Sequence, residues 1–265
     1  MRPAPVGGTL TAVAAIAQRD LVKLIRDRPR MAVNLAFPIL LIGGLGSVLQ
    51  STVGTVTGLD SVTLAFSGVL AATLFQSASA GMISIVEDRE NDFSRELFIA
   101  PVARLALVGG KIVGETAVAL VQGGCVVAFA LAFGVRFGAD QVARMAPACL
   151  ACCLLGGAFG LATVALLPNQ RSAMQVFQFL IIPQYVLGGV LVPLRGLSGY
   201  LDALARAMPL RYAVDLNRAA LYSGRSGYAA AVPGDPVLDA AVVGGLFVVL
   251  LVVGALAFEY RERTR

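Results

Sequence analysis

Six stretches of the chain carry no Asp, Glu, Lys or Arg: residues 31–59, 61–86, 116–135, 145–170, 172–194 and 240–258. The shortest has 19 residues and the longest 29. A helix rising about 1.5 Å per residue needs roughly 20 apolar residues to cross a hydrocarbon core of about 30 Å, so each stretch is long enough to span. The pattern predicts an all-α integral membrane protein with six transmembrane helices, at about 31–50, 61–86, 108–133, 145–167, 173–194 and 237–258. Residues 31–258 then form one membrane domain, preceded by a cytoplasmic segment 1–30 and followed by a tail 259–265.

The periodicity changes before the first span. Across residues 9–28, Leu10, Val13, Ala14, Ala17, Leu21, Leu24 and Ile25 recur at three- and four-residue spacing, while Arg19, Lys23, Arg26 and Arg30 gather on the opposite side. Such a helix lies flat at the inner headgroup boundary before Pro29 helps turn the chain into the membrane. The plainer alternative is a juxtamembrane helix with no part in transport.

Two loops are also patterned. Residues 87–104, EDRENDFSRELFIAPVAR, hold five acids, three arginines and an apolar edge of Phe93, Leu97 and Phe98, with Pro101 ending the predicted helix 87–100. It fits a groove on a soluble partner, or serves as a solvated connector. Beyond the fifth span, residues 195–222 contain two short amphipathic segments separated by Met208-Pro209. They suit a re-entrant helical hairpin sheltered by the spans, with Arg211, Asp215 and Arg218 set for pairing one turn apart. A floppy external loop suits only 223–236, where Gly, Ser and Pro concentrate.

Composition narrows the chemistry. The chain of 265 residues is 57% hydrophobic and 14% charged, against about 45–50% and 25% in soluble domains. It has no His, which removes His-based nucleophile activation, His-ligated metals and a His pH switch. Cys125, Cys149, Cys152 and Cys153 fall inside predicted spans, where they read as packing residues; no metal site is expected. The net charge of +5 flanks the spans and points to lipid headgroups as partners, not nucleic acid. With the N-terminus inside, cytoplasmic segments hold 14 Lys or Arg against 7 outside, so both termini are expected in the cytoplasm. Five arginines in 195–239 run against that rule. Arg19, Asp20, Lys23 and Arg26 break the apolar run a signal peptide needs, so no processing is expected. The preponderance of Arg over Lys, with much Ala, Gly and Val, suggests a GC-rich bacterial genome, and the expected location is a bacterial inner membrane.

Ionisable and small residues near the spans are few enough to weigh singly. Lys111 and Glu115 lie one turn apart and can pair, which favours the inner interface with Lys111 snorkelling. Glu115 could instead be a cation or proton site, but a relay needs further ionisable groups at depth. Gly110 with Gly114, and Gly156 with Gly160, suit close helix packing. Asn34, Gln76, Gln122, Gln175, Gln178 and Gln184, with aromatics such as Phe37, are the candidates to line a substrate path. Gly110-Lys111 lacks the upstream glycine and the following Ser or Thr of a phosphate-binding loop, so no nucleotide site or enzyme activity is expected in this chain.

Two motifs carry a resemblance. Asp88, Arg89, Glu90, Arg95, Glu96, Ala100, Pro101 and Arg104 resemble the loop pattern D-R-E-x-x-x-x-R-E-x-L-x-A-P-x-x-R of ABC-2 type transporter permeases, especially daunorubicin-resistance-type drug exporters. Pro183, Gly188, Pro193, Leu197, Pro209, Leu210, Tyr212, Asp215 and Arg218 resemble that family's fifth span and outer hairpin. Phe98 stands where the family has an aliphatic residue, and Met208 where it commonly has Asn. The resemblance implies the type V exporter-like fold and a permease paired with a second permease, identical or not, and two cytoplasmic ATPase subunits that bind ATP and Mg. It makes Glu87, Asp88, Arg89, Glu90, Phe93, Arg95, Glu96, Leu97, Phe98, Pro101 and Arg104 the ATPase-coupling segment, with the interfacial helix beside it. The cargo it implies is a hydrophobic drug-like molecule or lipid. A lipid-linked polysaccharide, or a scaffold that moves nothing, are the alternatives.

Overall fold

In the computed structural model, residues 6–46, 60–90, 104–225 and 227–263 are described, and among them the chain forms helices joined by turns, without strands. Helix α1 (Val6–Arg26) is followed by α2 (Arg28–Leu40), which continues through a π turn at Leu41–Leu45. Then come α3 (Ser61–Gly81), α4 (Ser84–Glu90), α5 (Arg104–Ala132), α6 (Ala139–Val164) and α7 (Gln170–Leu187). The remainder is α8 (Gly199–Arg206), α9 (Pro209–Tyr222), the single turn α10 (Tyr228–Ala231) and α11 (Pro236–Arg263).

Four helical segments among the described residues are long and apolar enough to cross a membrane: Ser61–Glu87, Val108–Ala132, Ala139–Val164 and Tyr228–Arg261. Met31–Gly44 is apolar but shorter. Helix α7 is made more polar by Arg171 and by Gln170, Gln175, Gln178 and Gln184.

Helix α3 is the hub. It is apolar all round and buried along most of its length, including Phe66, Leu70, Leu74, Phe75 and Ala78, because α5, α6 and α9 surround it. Without water to drive helices together, contact depends on close backbone approach. A Cβ on Gly156 would lie 2.4 Å from the Phe75 carbonyl oxygen, and one on Gly160 2.4 Å from that of Ser79. The Ser79 hydroxyl donates across this crossing to the Gly156 carbonyl at 2.7 Å. Gly114 of α5 takes the same part against the Ala17 backbone of α1, at 3.0 Å.

Some element ends differ from the sequence expectation. At the predicted fifth span, α7 stops at Leu187 instead of running to 194. Gly189 turns at φ +68°, and Arg218 of α9, fully buried, donates from Nη2 to the carbonyls of Gly189 (2.9 Å) and Val190 (3.4 Å). A cation thus meets the carbonyl-rich end of α7. In return, the Gln184 side chain of α7 accepts the Leu210 N–H at the start of α9 (3.1 Å), so the two helices cap each other. The turn lodges against α3 at Gly68, where a Cβ would meet the Val190 oxygen at 1.8 Å. The fourth helix begins at Ala139, before the predicted 145, because Gln141 accepts the Gly138 N–H (2.8 Å) and extends it by a polar turn. The predicted first span, 31–50, is helical through Gly46; 47–50 lie outside the described residues.

Candidate functional site

Two features could serve transport: a buried charge cluster at one end of the helices, and a groove that rises from it. Asp20 of α1, on the face that packs against α5, reaches the Lys111 ammonium at 2.7 Å. Lys111 also meets Glu115 at 2.6 Å, the one-turn pair expected from the sequence. All three side chains are buried, so the Lys111 ammonium is held by protein carboxylates and not by solvent. Two carboxylates hold it, and Arg19 adds a hydrogen bond to Asp20 at 3.2 Å. The Glu115 carboxylate rests on Gly81 at the end of α3, where a Cβ would lie 1.8 Å from Oε2.

Asp20, Lys111 and Glu115 line a polar cavity of about 280 Å³ with Lys23, Asn34 and Glu87. Asn34 and Gln122 continue into a cavity of about 150 Å³, which Phe37 and Gln76 share with a third, apolar cavity of about 630 Å³. At that junction the Tyr185 hydroxyl donates to Gln76 Oε1 at 2.6 Å, beneath an edge-on contact of Phe37 with the Tyr185 ring, centroids 5.7 Å apart. Above it the lining turns aliphatic, with Ile182, Val186 and Leu191 beside Gln178. The groove therefore runs from charged, through amide and aromatic, to apolar. Of its lining residues, Val33 on α2 and Ile182 and Val186 on α7 are exposed.

The sequence-based candidates divide accordingly. Asn34, Phe37, Gln76 and Gln178 line the groove. Gln184 does not: it is buried and spent on capping α9. Gln175 is exposed on α7. Sequence reasoning missed Asp20 and Tyr185. Asp20 was detectable, because at 100° per residue it falls beside Ala17 and Leu24 on the apolar stripe of α1, where a lone acid needs a buried partner.

Of the coupling candidates, Glu87, Asp88, Arg89 and Glu90 belong to α4, and Glu87 is half-buried. Phe93, Arg95, Glu96, Leu97, Phe98 and Pro101 lie outside the described residues, as do the side chains of Arg104 and Arg30. Lys23 and Arg26 are exposed on α1.

In the hairpin region, α8 and α9 meet around Met208, with Pro209 opening α9. The Tyr212 hydroxyl donates to the Arg206 carbonyl at 2.8 Å. Asp215 lies 3.6 Å from Arg218, whereas Arg211 turns to Asp202 of α8 at 3.5 Å. The hydrogen bond from Arg206, with Arg211 nearby, holds the Asp202 carboxyl below its usual range. All five arginines of 195–239 have protein partners: Arg195 donates to the Ala229 carbonyl, and Arg225 to that of Arg136 and to Gln141 at 3.1 Å. Charges satisfied within the protein make a weak topological signal, so these five arginines weigh little against the expected orientation. The cysteines are free; Cys149 donates to Asn217 at 3.3 Å and Asn217 donates to Cys152 at 2.8 Å.

Membrane-length helices around a groove graded from charged to apolar define a multi-pass membrane transport component. The chain belongs to the ABC-2 type transporter family, whose model matches residues 11–222, from α1 to the last residue of α9. Among curated proteins, none matches it.

Proposed function

We propose that this chain is the permease subunit of an ABC-2 exporter, with ATP and Mg bound and hydrolysed on two separate ATPase subunits. It carries a hydrophobic drug-like molecule or lipid out of the cytoplasm or inner leaflet, and it works with a second permease. The observation that carries this reading is the groove: Asn34 and Gln122 near the buried charges, Gln76 and Tyr185 at the middle, aliphatic residues above. An amphipathic cargo finds amides for its polar end and apolar walls for its body. The aliphatic upper lining favours a lipophilic molecule over a polysaccharide, for which stacked aromatic platforms would be expected.

In this reading six segments span, with α2 and α7 as first and fifth, α8 and α9 form an external re-entrant hairpin, and both termini are cytoplasmic. The acidic segment 87–104 grips the ATPase beside α1, and closure of the ATPase dimer is transmitted to α3 through α4. Reversing Glu90 and Glu96 together to Lys tests this. Co-purification of the native ATPase and ATP-dependent cargo release should both fall about ten-fold or more, with membrane insertion intact. Unchanged association and release would remove the coupling assignment.

A further inference from the structure

A second cleft, of about 510 Å³, lies between α6, α9 and α11 and shares no lining residue with the groove. Its walls are small or apolar: Ala148 and Ala151 on α6, Ala219 on α9, Gly244 and Phe247 on α11. From Arg144 to Leu154 it follows α6 for about 15 Å, at roughly 1.5 Å per residue. That is about half of a hydrocarbon core of roughly 30 Å, the depth of one leaflet.

The polar groups gather at one end. Exposed Arg144 lines the mouth and donates one N–H to the Ser223 hydroxyl at the end of α9. A guanidinium has five N–H donors, so others remain for an anion. Gln141, donating to the Leu221 carbonyl at 3.0 Å, ties the start of α6 to α9 and fixes the mouth. Asp140, the acid on this stretch of α6, precedes the cleft and does not line it. A cation at headgroup level over an apolar slot one leaflet deep is complementary to an anionic lipid.

We propose that this cleft holds an acyl chain of an anionic glycerophospholipid, with its phosphate on Arg144 and Ser223, as a resident lipid distinct from the cargo. The site stands on the membrane location alone and does not depend on which cargo the groove carries. The full chain, purified in mild detergent and titrated with dioleoyl phosphatidylglycerol or dioleoyl phosphatidylcholine, is read by native mass spectrometry. Wild type should retain phosphatidylglycerol about five-fold more than phosphatidylcholine. Arg144→Gln, an exposed change that leaves the helices intact, should abolish that preference. Gly244→Leu should remove retention of both lipids, since a Cβ there meets nothing within 4 Å and the side chain can enter the cleft. Ala151→Leu fills the slot from α6 and should act alike. Equal retention of the two lipids by wild type would overturn the proposal. So would unchanged phosphatidylglycerol retention in folded Gly244→Leu or Ala151→Leu. A loss of self-association in these variants without loss of lipid would assign the cleft to a second copy of the chain instead.

Discussion

Lys111→Met should be among the most damaging single changes in the molecule, and its cost follows from the arithmetic of charge. Lys111 lies 2.7 Å from Asp20 and 2.6 Å from Glu115, all three buried, so one ammonium is shared between two carboxylates, while the partly exposed Arg19 also reaches Asp20 at 3.2 Å. Removing the shared cation takes the ammonium partner from two buried acids, and breaking a buried pair costs about 3–5 kcal/mol. Arg19 stays with Asp20, which favours the lower end. Asp20→Asn leaves Lys111 balanced by Glu115 and should cost only about 1–2 kcal/mol. The triple variant Asp20→Asn, Lys111→Met, Glu115→Gln removes all three buried charges and should recover most of the loss. Thermal unfolding in detergent, followed by far-UV circular dichroism because the chain has no Trp, gives the comparison. Lys111→Met should lower the midpoint by on the order of 10 °C. Hydrogen exchange should show α1, released from α5, losing protection first. If Asp20→Asn costs as much as Lys111→Met, or the triple variant is no better than Lys111→Met alone, the shared-cation account is refuted.

Gly160→Val would drive a side chain into the Ser79 carbonyl, 2.4 Å from the new Cβ, and should destabilise by about 1–3 kcal/mol or block insertion, read as reduced yield of monodisperse protein. Arg218→Met uncaps α7 and leaves Asp215 buried, so the 188–222 region should become protease-sensitive while α3, α5 and α6 keep their exchange protection. Asp202 titrates below its ordinary range, so its contribution to the α8–α9 contact is present above the unfolded carboxylate value and is lost as pH falls through the lower folded value. Exchange of the α8 amides, corrected for intrinsic rates, should rise below about pH 4, and Arg206→Ala should move that rise to higher pH. Tyr185→Phe removes the hydrogen bond to Gln76 but keeps the ring against Phe37, so it should alter cargo selectivity in transport assays more than midpoint temperature.

Much of this was legible in the residues because membrane helices obey few rules. Charge-free length marked α3, α5, α6 and α11, and the Gly156–Gly160 spacing marked the tightest crossing. Lys111 and Glu115 were readable as neighbours because one turn of one helix contains both. What escaped were partners distant in sequence: Asp20 with Lys111 across 91 positions, Gln184 with Leu210, and Tyr185 with Gln76 across 109. The glutamines in particular were ambiguous. Gln76 and Gln184 look alike as isolated polar residues in apolar runs, yet one lines the groove and the other is consumed by the first N–H groups of a helix, a difference that only tertiary placement decides.

The reciprocal bonds between α7 and α9 have a mechanical consequence. Gln184 is fastened to the start of α9 and Arg218 to the turn that ends α7, so the C-terminal end of α7 and α9 are tied at two points. Helix α7 also touches α4, the helix that opens the acidic loop. Under the proposed coupling, a push on α4 would be delivered directly to α7, and Pro183 inside that helix marks the point where it can bend on the way to the turn held by Arg218.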